Sequence, residues 1–138
     1  MSKSWQCSRC HREFAKKNQQ HSCVIYPLAK HFKDKPLAKE LFGHLKKRIT
    51  TAIGQVKIES LPCCIHFVSS YTFGAAWAMK DRIRIDFRVA SPLKSRRFWK
   101  TLRMSANRYL YFLEIKSTKE IDRELIGWLN ESYHFHDQ

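Results

Sequence analysis

In WQCSRCHREFAKKNQQHSC, residues 5–23, Cys7 and Cys10 stand three apart, and His21 and Cys23 follow after a basic stretch. Three sulfurs and an imidazole are a donor set of closed tetrahedral zinc sites, and a C-x2-C turn brings both its sulfurs to one ion. The thiolate is the binding form, and Arg9, Arg12, Lys16 and Lys17 favour it electrostatically. The second half of the motif limits its meaning. Residues two apart do not share a helical face, so His21 and Cys23 must come from a turn or an extended segment. The segment therefore lacks the helix with which a DNA-reading finger enters the major groove. Four protein ligands leave no position for water, so Zn²⁺ here is expected to be structural. Trp5 and Phe14 are expected to cover its apolar side. One alternative stays open, in which His11 or a distant residue replaces His21 or Cys23.

Elsewhere, residues that could do chemistry are sparse. Ser69 and Ser70 are not in a nucleophile-elbow setting, and Gly43, Gly54, Gly74 and Gly127 are too scattered for a phosphate-cradling loop. Asp81 and Asp86 lie among arginines, which points to charge pairing and not to a general acid and base. His66 reads as a sheet histidine, and of the adjacent Cys63 and Cys64 at most one is expected to face the core. Catalysis is thus not expected. What remains is basic surface interleaved with aromatics: Arg82, Arg84 and Arg88, then Arg96, Arg97, Lys100 and Arg103 beside Trp99. Guanidinium and ammonium groups on a sheet face contact phosphates, and an exposed aromatic stacks on bases, so this set is expected to bind nucleic acid or another polyanion. The competing reading pairs these arginines with Glu59, Asp86 or the acidic last helix.

The elements that would position these residues follow from periodicity. Leu37, Leu41, Leu45, Ile49 and Ile53 recur every four residues and predict an amphipathic helix, with Pro36 in its first turn and Gly54 at its exit. From residue 55 the period becomes two, and VKIESLP, CCIHFVSSY, TFGAAWAMK, RIRIDFRVA, RRFWKTLRM and RYLYFLEIK read as about six strands. The short breaks predict an antiparallel meander. In RIRIDFRVA, Ile83, Ile85, Phe87 and Val89 must face one side and Arg82, Arg84, Asp86 and Arg88 the other. Small residues at Gly74, Ala76 and Ala78 predict a face that a helix or ligand approaches closely. Ser117 with Glu120 has the form of a capping box opening a last helix that ends near Tyr133. The expected fold class is α+β: an antiparallel sheet flanked by an N-terminal and a C-terminal helix on one face, as a domain over residues 27–138 behind a zinc module over 1–26.

Composition agrees with that size. A chain of 138 residues buries roughly 68% of its unfolded surface. The formal net charge of +14 favours polyanionic partners without choosing among them. A protein partner or small anionic ligand is the alternative. No apolar run is long enough to span a bilayer, none marks a signal peptide, and tight cysteine spacing suits a reducing compartment, so a cytoplasmic location is expected.

The motifs WQCSRC, QHSC, KHFKDKPLAKELF and, above all, IDRELIGWLNESY together resemble an uncharacterised bacterial domain of unknown function carried behind a short CxxC...HxC segment. Some of its relatives are loosely labelled predicted transport protein. The resemblance implies the α+β body and the Cys7, Cys10, His21, Cys23 motif, and no catalytic residue. Relatives tend to have Gly after the second cysteine, where this chain has His11.

Overall fold

The structure, a computed structural model, describes residues 5–14, 16–21 and 25–135. A two-stranded antiparallel hairpin, β1 (Trp5–Gln6) and β2 (Glu13–Phe14), precedes a short helix α1 (Leu28–His31) and the long helix α2 (Pro36–Ala52). Six strands follow: β3 (Lys57–Ser60), β4 (Ile65–Val68), β5 (Thr72–Ala78), β6 (Ile83–Val89), β7 (Phe98–Ser105) and β8 (Arg108–Ile115). A 3₁₀ turn (Thr118–Glu120) leads into α3 (Arg123–Tyr133). All neighbouring strands pair antiparallel.

Helix α2 forms where the four-residue apolar spacing placed it. Pro36 occupies its first turn, where no intrahelical donor is lost. Its buried stripe of Ala38, Leu41, Phe42, Leu45 and Ile49 joins Ile65, Phe67, Ile83, Ile85, Phe87 and Leu113 of the sheet and Leu125 and Leu129 of α3 in one core. Each such large side chain contributes about 1.5–3 kcal/mol when removed from water. Gly54 at the exit of α2 makes room for a neighbour, apart from any backbone freedom it lends. A Cβ there would stand 2.9 Å from the Tyr133 hydroxyl, which donates to the Gln55 carbonyl at 2.8 Å.

The order of the sheet is β3-β4-β5-β6-β8-β7, so the expected meander holds only through β6. The chain then crosses, and β8 inserts between β6 and β7. Burial accounts for the exchange. In β8, Tyr111, Leu113 and Ile115 are buried, whereas everything in β7 after Phe98 is exposed. The more apolar strand takes the interior position and the polar one the edge. The crossing is fastened by the Leu93 amide, which donates to the Tyr111 hydroxyl at 2.5 Å.

A second correction concerns the last helix. Ser117 caps only the 3₁₀ turn and makes no side-chain cap bond. Asp122 is the N-cap of α3, its Oδ1 accepting from the Leu125 amide at 3.0 Å. Burial works to raise the Asp122 pKa, but that amide and Arg97 outweigh it and hold it below the usual carboxylate range. At the other end Ser132, fully buried, donates from Oγ to the Phe73 carbonyl (2.5 Å) and accepts from the Arg88 amide (3.1 Å). Its hydroxyl thus bridges β5 and β6 beyond their last paired residues, Gly74 and Phe87. The IDRELIGWLNESY segment is accordingly spent on packing, capping and latching. The small-residue face of β5 turns toward the helices: Ala76 is in the core and Ala78 packs against it. A Cβ on Gly74 would meet the Asp86 carbonyl at 2.8 Å. Helices, not a ligand, fill that side.

Candidate functional site

The β1–β2 hairpin folds around its cysteines. The Cys7 amide donates to the Arg12 carbonyl (2.9 Å) and the His11 amide to the Cys7 carbonyl (2.8 Å), which curls residues 7–12 into a tight loop. His11 sits in that loop at φ 62°, the left-handed region that suits glycine. The ligand atoms of Cys7, Cys10 and His21 all lie within 4.8 Å of one another and could hold a metal ion. Cys10 Sγ is 3.3 Å from His21 Nε2, and His21 Nδ1 is 2.7 Å from the Gln19 carbonyl. Donation to that carbonyl fixes the tautomer and leaves Nε2 bare toward the sulfurs, the arrangement a metal-binding histidine needs. The donor set therefore fits a thiophilic ion such as Zn²⁺. His11 is outside this cluster, and Cys23 lies outside the described residues. Phe14 packs on the His21 ring at 4.2 Å, with Trp5 6.0 Å from both. These are the rings expected to cover the site.

The loop is tied to the edge strand β3. Arg12 approaches Glu59 at 3.8 Å, Glu13 pairs with Lys57, and a cleft of about 340 Å³ lies between them, lined also by Cys10, Tyr26 and Ser60. Glu59 in turn stands 3.8 Å from His66 Nδ1, and the nearby imidazole does most to depress its pKa.

The other candidate is the face of the sheet opposite α2 and α3. Strand alternation turns Trp77, Arg84, Asp86, Arg88, Leu110, Phe112 and Glu114 to this side. A bulge in β7 adds to them: Phe98 pairs with Leu113 and Lys100 with Phe112, so Trp99 is an extra residue and both Trp99 and Lys100 turn outward. Trp99 is 5.7 Å from Phe112, which is 6.3 Å from Trp77. The Arg84 guanidinium lies 4.8 Å over Trp99 and the Lys100 ammonium 5.3 Å over Phe112. Trp77, Met79, Arg84, Trp99 and Phe112 line a shallow depression of about 170 Å³. Trp99 remains 49% exposed.

The basic residues divide. Arg82 (3.0 Å) and Arg84 (2.8 Å) share the Glu114 carboxylate, which they hold below its ordinary pKa, Arg84 the more strongly. Arg88 stays on the open face beside Asp86, whose pKa burial pushes up to about 6 against the pull of the Ala75 amide, Arg88 and His66. Arg97 is elsewhere. It binds Asp122 (3.0 Å), Glu124 (3.1 Å) and the Glu120 carbonyl (2.6 Å) and lies 5.5 Å over Trp128, on the helix side. Arg103 lies 5.5 Å over Tyr109, a ring that packs against the core. Arg96 is exposed in the crossing. The expected row of seven is thus four cations on one face, Arg82, Arg84, Arg88 and Lys100, with Arg97 and Arg103 turned away. Trp77 and Phe112 were not singled out beforehand, although the alternation against Gly74, Ala76 and Ala78 does send Trp77 to the open side.

Among the described residues no helix is long and apolar enough to cross a membrane. No curated protein and no solved structure matches the chain. A family model described as Domain of unknown function (DUF5655) matches residues 28–136, most of the chain and starting just past the cysteine segment, so the chain belongs to that family.

Proposed function

We propose that the open sheet face binds single-stranded nucleic acid, with bases stacking on Trp99, Trp77 and Phe112 and phosphates held by Arg84, Arg88 and Lys100. The observation that carries this reading is the aromatic depression bordered by cations on the side of the sheet away from the helices. Aromatic platforms accept any base, so sequence choice is weak and affinity rests on stacking plus phosphate contacts. Each stacked base is worth about 1–3 kcal/mol by alanine substitution. Trp99→Ala is therefore expected to weaken binding of a fluorescent single-stranded oligonucleotide about 5- to 150-fold by anisotropy at low ionic strength. Affinity should also fall linearly in log–log terms with added salt. Absence of salt-sensitive binding, or full binding by the Trp99 variant, would falsify the reading.

A second reading has its own observation. An open cleft of about 590 Å³ is lined by Lys46, Ser69, Ser70 and His134, and by Lys57, whose ammonium Glu13 already pairs. Its chemistry suits a small anionic ligand, and inorganic phosphate shifting the amide resonances of Ser69 and Ser70 would favour it.

For the N-terminal loop the proposal is a structural Zn²⁺ held by Cys7, Cys10 and His21 with Cys23 as fourth ligand. One zinc per chain by elemental analysis, lost in Cys10→Ser, is the expected result. Zinc retained in that variant excludes the assignment.

A further inference from the structure

Cys63 and Cys64 fall outside both candidate sites, yet their side chains converge. Adjacent residues in a strand point to opposite faces, and here they do not: the two Sγ atoms are 3.3 Å apart. They sit in the β3–β4 turn, closed by the Leu61 amide donating to the Cys64 carbonyl at 2.9 Å. That bond closes the turn in which the two sulfurs come together. Cys63 is exposed and Cys64 is buried, so one sulfur faces solvent and the other lies directly behind it.

We propose that Cys63 and Cys64 form a chelating dithiol site for a trivalent arsenical bearing one organic substituent. Three aspects of the geometry select this ligand class. Such a centre needs two sulfurs and no third protein donor, and no third Cys, His, Asp or Glu joins this pair among the described residues. Its pyramidal shape demands a short bite, whereas zinc at ~2.3 Å from each sulfur with tetrahedral angles would want them about 3.8 Å apart. It also condenses with neutral thiols. Two As–O bonds break and two As–S bonds form, each thiol proton leaves with a hydroxide as water, and arsenic stays trivalent. A dication instead requires thiolates, and burial pushes the Cys64 thiol up to about 12, so a metal cation is disfavoured where the arsenical is not.

The test uses the full zinc-loaded chain and one equivalent of phenylarsine oxide. Trypsin releases residues 58–80 as one peptide, bounded by Lys57 and Lys80, which holds Cys63 and Cys64 and no other cysteine. The expected result is the arsenical adduct on that peptide with zinc content unchanged. Capture should fall at least tenfold in Cys63→Ser, an exposed position whose replacement leaves the fold intact. A dithiol should reverse the adduct where an equal concentration of monothiol does not. Modification confined to residues 5–23 with release of zinc overturns the proposal, as does undiminished capture by Cys63→Ser.

Discussion

His11 shows how one side chain can sit against its backbone. A non-glycine residue in the left-handed region costs about 1 kcal/mol, and at φ 62° His11 bears that cost inside the loop that presents Cys7 and Cys10. Glycine would remove it. His11→Gly is expected to tighten zinc binding about fivefold by chelator competition, a gain of about 1 kcal/mol. Weaker binding would instead identify His11 as a ligand. Asp86 illustrates the opposite case, a charge held where it is disfavoured. Its folded pKa of about 6 exceeds the ~3.9 of an unfolded chain. The folded state therefore binds the proton more readily between those values, and the contribution of Asp86 to stability falls as pH rises from about 4 to about 6. Asp86→Asn should raise the denaturation midpoint at pH 7 and flatten its dependence across that window.

At the scale of elements, the crossing between β6 and β7 depends on Arg97. Its guanidinium gathers Asp122, Glu124 and the Glu120 carbonyl at the start of α3, and such charge-assisted bonds are worth roughly 1.5–3 kcal/mol each before solvent screening reduces them. Arg97→Ala should lower stability in urea by about 1–2 kcal/mol while leaving oligonucleotide affinity unchanged at low salt. A selective loss of binding would return Arg97 to the interface. Helix α2 and all six strands were legible because their periodicity is strong and local. The exchange of β7 and β8 was not, because strand order is settled by which strand has more to bury once both are packed on the same helices. The side taken by Arg97 was hidden for a related reason: it precedes the bulge at Trp99, where the alternation used to assign faces breaks. Asp122 caps α3 in place of Ser117 because a 3₁₀ turn over Thr118–Glu120 intervenes, and nothing in the capping-box pattern of Ser117 and Glu120 signals that turn.

Across the whole molecule the +14 charge is more discriminating than its sum. Arg82 and Arg97 are committed to carboxylates, and Arg84 gives its Nε to Glu114 while its side chain stays 41% exposed, so the face offered to a polyanion depends on a few cations set among aromatics and not on bulk basicity. The salt slope of binding should accordingly report only a handful of phosphate contacts, far fewer than the cations in the chain.

The two margins of the sheet are closed by different means. Exposed strand edges invite pairing with other chains, and bulges and cations discourage it. The β7 margin carries both, with register breaks at Trp99 and near Met104 and with Lys100 and Arg103 alongside. The β3 margin has the cysteine loop beside it, joined through Arg12 to Glu59 and through Glu13 to Lys57. One rim is thus guarded by its own residues, and the other by a separate clip whose hold would follow the zinc proposed for it. If that zinc is bound, a metal-starved chain would lose solubility first at the β3 margin, where the loop would no longer lie against Glu59 and Lys57.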